Sequence, residues 1–207
     1  MNIVVIGTGN MASAFVKQLT RAGHAVRIVG RDAAKAAALA QAHGAQVAAP
    51  ASAAEADLII TATAYGDAVA ALSQLGDLTG KAVVDITNPL TADYMGLTLG
   101  HSTSAAEEIA RALPGVHIVK AFNTVFAQVL AEGGDFGDGR KVPVFVAGDD
   151  AQAKERVVAV ARSMGFDTQD AGTLKNARYL EPLAGLNIYF GYGAGLGTTI
   201  APTWLRK

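Results

Sequence analysis

Cysteine is absent from this chain, which excludes disulfides, thiolate metal sites and cysteine nucleophiles. Charge is scarce as well, at 17% Asp, Glu, Lys and Arg, and it nearly cancels to a net −1. That balance gives no global pull toward nucleic acid or an anionic membrane, so neither is expected as a partner and any anion site must be local. Aromatics make up only 6%, whereas hydrophobic residues reach 51%, enough for a large core and unlike a disordered chain. No basic n-region precedes the first apolar run, so no signal peptide is read, and the lack of cysteine fits a reducing, cytoplasmic setting. The stretch from Leu183 to Leu205 carries no charge over a length that could span a bilayer. Its five glycines, three threonines, Asn187 and Pro202 dilute the apolar signal, which favours the wall of a pocket or a subunit contact.

What is present is an alternation of short apolar runs with helix-length, alanine-rich segments. Strands are expected at Ile3–Ile6, Ala25–Val29, Asp57–Ala62, Ala82–Ile86, His117–Ala121 and Val142–Ala147. Helices are expected at Met11–Ala22, Ala33–His43, Asp67–Leu75, Ala105–Leu113, Ala151–Met164 and Ala177–Tyr189. Several strands are nearly continuous Val/Ile runs, as parallel strands covered on both faces should be. The fold class is therefore α/β, a doubly wound parallel sheet with helices on both faces. Residues 1–165 form this body, and 166–207 read as a small C-terminal extension. Pro143 places its strand at an edge or starts it. Gly133 to Gly139 reads as a flexible loop, and Ser104-Ala-Ala-Glu107 as a capping box.

The first strand breaks into Gly7-Thr8-Gly9-Asn10-Met11-Ala12. Gly7 permits the tight turn, Gly9 lets backbone approach a pyrophosphate, and Ala12 in place of a third glycine keeps helix and strand close. The free N–H groups at the helix start then face phosphates. This is the Rossmann dinucleotide fingerprint in its confirming context, directly after a strand and before a helix. At the end of the second strand stand Gly30 and Arg31, with Lys35 one helical turn on. NAD sites place a carboxylate here, whereas a 2′-phosphate favours a guanidinium fork, so the pair favours NADP. The alternative is that Arg31 and Lys35 are solvated charges at a helix start. Asp32 is most simply the N-cap of the next helix, but turned toward the ribose it would restore NAD.

Substrate and reactive ring should meet at the C-terminal edge of the sheet. Candidates there are Thr63, Ala64 and Tyr65, then Asn88 and Pro89, and Ala121, Phe122, Asn123 and Thr124. Tyr65 either lies against the ribose or packs at a helix start. Asn88 either hydrogen-bonds the carboxamide or opens an Asn-Pro turn. His24, His43 and His117 read as structural, and His101 is placed only near the edge. No Tyr-x-x-x-Lys dyad and no metal-ligand spacing occurs. An alcohol or ketone dehydrogenase needs a positioned acid or base. Hydride exchange between two organic carriers does not, so no catalytic acid–base residue is assigned and positioning supplies the catalysis.

The motifs Gly7-Thr-Gly-Asn-Met11, Gly30-Arg31 with Lys35, Asn88-Pro89, Val119-Lys-Ala-Phe-Asn-Thr124, Ala147-Gly-Asp-Asp150, Gly165-Phe-Asp167, Asp170-Ala-Gly-Thr-Leu174 and Ala177-Arg-Tyr-Leu-Glu-Pro-Leu183 run in one order through the chain. Together they resemble the NADP reductases that use the deazaflavin coenzyme F-420. The soluble domain of the six-transmembrane ferric and cupric reductases is similar too. The resemblance implies NADPH on Thr8–Met11, its 2′-phosphate on Arg31 and Lys35, and the nicotinamide near Asn88, Pro89 and Ala121–Asn123. It also implies a small-molecule hydride acceptor under Leu180–Leu186 and the tail, and a homodimer. The tail Ile188–Trp204 resembles bacterial relatives more than the archaeal deazaflavin enzymes, and in a host without deazaflavin the resemblance implies a flavin, a quinone or a small substrate as the acceptor. A non-catalytic NADP(H)-binding sensor or subunit is the alternative to an enzyme. An imine or hydroxy-acid reductase is disfavoured, because those enzymes need a long helical C-terminal domain.

Overall fold

In a computed structural model, residues 1–204 are described, and they form one eight-stranded sheet. The strands are β1 (Asn2–Ile6), β2 (Ala25–Val29), β3 (Gln46–Val47), β4 (Leu58–Thr61), β5 (Ala82–Asp85), β6 (His117–Lys120), β7 (Pro143–Gly148) and β8 (Asp167–Asp170). Their order is β3-β2-β1-β4-β5-β6-β7-β8. Pairing is parallel throughout except between β6 and β7. The helices are α1 (Asn10–Arg21), α2 (Ala33–His43), α3 (Tyr65–Ser73), α4 (Ala105–Ala112), α5 (Ala127–Glu132), α6 (Ala151–Ser163) and α7 (Ala177–Ile188).

Alternation along the strands divides the core into two layers. Ile3 and Val5 face Phe15 of α1, Ala36 of α2, Leu130 of α5 and Val157 of α6. Val4 and Ile6 face Leu72 of α3 and Ile109 of α4 on the opposite side. Central strands buried on both faces must be apolar at every position, which is why β1 and β4 read as continuous Val/Ile/Leu runs. Helix ends follow local chemistry. Asp32 and Ser104 accept backbone N–H bonds from Lys35 and Glu107, and Gly44 closes α2 in the left-handed region.

The departures from an all-parallel sheet have physical causes. A parallel crossover needs an element long enough to carry the chain back along the sheet. Helix α5 has only six residues, about 9 Å. It cannot do so, and β7 therefore starts at the edge where β6 ends and runs antiparallel to it. Pro143 opens β7, and β8 lies outside it, so of the two expectations for Pro143 the strand start is the one observed. Strand β8, Asp167-Thr-Gln-Asp170, belongs to the segment after residue 165 and has no apolar run; as a polar edge strand it reads like a loop. The loop from Gly133 is pinned by an Asp135–Lys141 bridge. At Gly134 a Cβ would lie 2.9 Å from the Phe166 Cα. Among the described residues no helix is long and apolar enough to cross a membrane. Leu205, the end of the uncharged stretch, lies outside the described residues.

Candidate functional site

Two crevices open along the C-terminal edge of β1, β2, β4, β5 and β6. The first, about 420 Å³, is walled by Gly7, Thr8 and Gly9, by Gly30, Arg31 and Lys35, and by Thr63 and Ala64. Gly7 has φ +122, and a Cβ there would stand 2.5 Å from the Ala62 carbonyl oxygen, so β1 can turn this close to β4 only with glycine. Gly9 differs. Its φ is ordinary, and a Cβ built on it meets nothing within 4 Å. The space beside it, next to the open N-terminus of α1, is a cradle that a side chain would fill and that the fold does not need. Buried Ala12 packs 3.7 Å from the Gly7 Cβ direction, in keeping with its close-packing role.

Arg31 and Lys35 both line this crevice and are mostly exposed, at 85% and 72% of their side chains. Arg31 Nη2 donates to Asp67 Oδ2 at 3.2 Å across the crevice, from the first turn of α3. The Asp32 carboxylate caps α2 and stands 3.8 Å from Lys35 Nζ, which matches the capping reading. Thr63 and Ala64, expected at the ring end of the edge, sit here beside Arg31 instead. Tyr65 lines neither crevice; it packs on the second core layer at the start of α3. Burial raises its phenol pKa, reinforced by the carboxylates of Glu108, Glu181 and Asp85.

The second crevice, about 650 Å³, continues past Asn10 and Met11. Asn88, Phe122 and Asn123 form its floor, and Ala184, Asn187 and Ile188 of the α7 segment form one wall. Pro89 and Ala121 are buried and line neither crevice. Asn88 Nδ2 donates to the Asn123 carbonyl at 3.0 Å, and Asn123 Nδ2 returns a bond to Asn88 Oδ1 at 3.0 Å and another to the Leu180 carbonyl at 2.9 Å. Asn123 Oδ1 is buried with no partner among the described residues. Such an orphan acceptor is costly in a low-dielectric wall unless something donates to it. Phe122 holds a left-handed φ of +61, fixed by edge-to-face contacts with Phe15 and Phe166 at centroid distances of 5.0 and 6.1 Å. His101 is exposed and lines neither crevice.

Several contributors were not legible in the sequence. Asp93, Tyr94 and Met95 come from the loop after β5, folded back by a Leu90–Leu97 bridge. Behind the floor, Lys120 is fully buried, its Nζ donating to Asp85 Oδ2 at 2.7 Å and the Thr87 carbonyl at 2.6 Å. Glu181 Oε1 of α7 lies 2.8 Å away. Glu181 also accepts the backbone N–H groups of Ala105 and Ala106 at the start of α4. Arg178 adds a two-pronged pair with Glu107 at 2.8 and 2.7 Å. Those bonds, and Asn187 Nδ2 to the Thr124 carbonyl, lock α7 onto the sheet edge as a fixed wall. A lysine inside an apolar strand is the signal that points to such a buried ion cluster.

A glycine turn, a basic pair and an apolar second crevice on one sheet edge define a dinucleotide-binding α/β protein. Comparison with known proteins narrows the class. The family model described as NADP oxidoreductase, coenzyme F420-dependent, matches residues 2–89. A solved structure of a candidate F420-dependent NADP-reductase from Arthrobacter sp. FB24 superposes with TM-score 0.86 at 32% identity, covering 99% of each chain. The chain belongs to this family of NADP-dependent oxidoreductases. Metalloreductase STEAP3 of Rattus norvegicus is 32% identical over 180 residues, which cover 86% of this chain and 35% of that protein. The chain thus spans about a third of that curated relative's length. An imine reductase from Pseudomonas sp. shares the fold, with TM-score 0.68 at 22% identity over 94% of this chain and 63% of that one.

Proposed function

We propose that this protein moves a hydride between NADP(H) and a deazaflavin- or flavin-type acceptor. The observation that carries the reading is the pairing of the two crevices. One has a phosphate cradle and a basic pair; the other is mostly apolar, with a buried orphan amide acceptor in its floor and Asp93 as its one charged residue among the described residues. The nicotinamide supplies the hydride when bound. Gly9 leaves the room that a pyrophosphate requires, and the α1 N-terminus turns its N–H groups toward it. Arg31, released from Asp67, and Lys35 bring two positive charges to a 2′-phosphate. Asn88, held rigid by its bonds with Asn123, presents its side-chain amide to the carboxamide at the floor. Phe122, Ala184 and Ile188 exclude water, so positioning and desolvation favour direct transfer.

Titration of NADP⁺ and NAD⁺ by calorimetry, in the parent chain and in Arg31→Ala, tests the cofactor half. NADP⁺ is expected to bind more tightly, and Arg31→Ala to remove most of the preference. Equal affinities in the parent chain would refute it. For the acceptor half, NADPH is mixed with oxidised deazaflavin, FMN or FAD while 340 nm and each acceptor's band are followed. A tight NADPH complex whose absorbance falls with none of them would favour the sensor reading.

A further inference from the structure

We infer that a third, smaller cavity beside Lys17 holds the anionic, phosphate-bearing tail of the hydride acceptor whose ring occupies the second crevice. This rests on the acceptor reading above. The cavity measures about 360 Å³ and is lined by α1 on one side and α5 on the other. It shares Asn10, Phe126, Ala127 and Tyr192 with the second crevice, so the two spaces adjoin across one wall. Tyr192 stands at the junction, edge-on to Phe126 with ring centroids 5.9 Å apart. That junction is built: after α7 the chain widens into a π turn at Tyr189–Gly193, and a Cβ on Gly191 would stand 2.7 Å from Phe126 Cζ. Glycine at 191 lets the turn settle onto Phe126 and set Tyr192 between the two spaces.

The two spaces differ in chemistry. Among the described residues no lysine, arginine or histidine lines the second crevice, and Asp93 is its one charged residue. A flavin-type ring fits such a lining, but a phosphate-bearing side chain does not, because its charge would be left unpaired. Past Tyr192 the lining turns polar, with Ser13, Lys17, Gln128 and Thr198. Lys17 is half-buried, and its ammonium has no ion-pair or hydrogen-bond partner among the described residues. Gln128 and Thr198 already bond one another at 2.7 Å, which ties the tail strap to α5 and closes the far wall. An elongated acceptor with its ring in the second crevice would therefore find its counter-charge at Lys17.

Riboflavin and FMN share one ring and differ by the phosphate, so they are the probes. Each is titrated by flavin fluorescence against the NADP⁺-saturated protein at low salt. FMN is expected to bind about tenfold more tightly than riboflavin, the worth of one charge-assisted contact. Lys17→Gln should bring that ratio to about one and Lys17→Glu should invert it, whereas Lys175→Ala on the exposed turn before α7 should keep it. Equal affinities in the parent chain, or a ratio unmoved by Lys17→Glu, would overturn the tail site. Binding of neither flavin would also overturn it, while turnover of a deazaflavin would leave the hydride reading standing. Conversely, a Lys17-dependent FMN preference without reduction of any acceptor would support the site and refute the hydride reading.

Discussion

Replacing Asp67 by asparagine removes the carboxylate that holds the Arg31 guanidinium at 3.2 Å. Both side chains are well exposed, at 49% and 85%, so the pair itself is worth only about 0.2–1 kcal/mol. That amount must be given up whenever Arg31 turns to a 2′-phosphate. Taking a separation of ~5 Å, with the guanidinium between them, the carboxylate would then repel a group carrying about −1.5 to −2 charges. In water-like dielectric this repulsion is about 1–2 kcal/mol before salt screening. Screening trims the second contribution, and the two together come to about 1–2 kcal/mol, so Asp67→Asn should tighten NADP⁺ about five- to thirtyfold. NAD⁺ has no 2′-phosphate and should change much less. Calorimetry at low and moderate salt reads both, and the gain for NADP⁺ should shrink as salt rises. Weaker NADP⁺ binding in Asp67→Asn would refute the reasoning, since it would make Asp67 a ligand of the cofactor and not a competitor for Arg31.

The other predictions concern the cradle, the buried ions and pH. Gly9→Val places its branched side chain in space that no protein atom approaches; the melting temperature should stay near the parent value while NADP⁺ binding is lost. Gly7→Ala should instead destabilise by about 2 kcal/mol or more in urea unfolding, because its φ of +122 and the 2.5 Å approach to Ala62 both oppose a Cβ. Lys120→Met leaves Asp85 and Glu181 buried without their cation, and unfolding should show a loss of about 3–5 kcal/mol. Hydrogen bonds from Arg178 hold the Glu107 carboxyl below its ordinary range, helped by Ser104. Its folded value lies below its unfolded one, so its stabilisation is present above about pH 4.3 and is lost as pH falls through the folded value. Thermal unfolding across this window should show that acid loss in the parent chain and a flatter profile in Glu107→Gln.

Legibility in the sequence followed the kind of signal each element carries. Strands β1, β4 and β5 were readable because burial on both faces forces nearly unbroken apolar runs, β2 because Val26 and Ile28 alternate on its buried face, and α2 because Asp32 and Gly44 punctuate it. Strand β8 was not, because an edge strand of Asp, Thr and Gln has no apolar periodicity. The reversal at β7 depended on the shortness of α5, a six-residue helix without a side-chain cap. In the site, the glycine turn and Arg31 were legible because backbone conformation and a 2′-phosphate each demand a residue type at a fixed offset. Tyr94, Asn187 and Tyr192 were not, since loop folding and the α7 anchor bring them to the crevice from distant positions. Lys120 stood in plain view in a strand, but its partners Asp85 and Glu181 are 35 and 61 positions away and meet only in the fold.

Direct transfer is the central claim, and isotopic labelling tests it. NADPH carrying deuterium at both C4 positions of the nicotinamide is mixed anaerobically with oxidised deazaflavin, and the reduced deazaflavin is examined by mass spectrometry. Its C5 carbon holds a transferred hydrogen without exchange, so the label is expected there, in step with the fall at 340 nm. Deuterium released to solvent, or NADPH consumed without label in the acceptor, would contradict it.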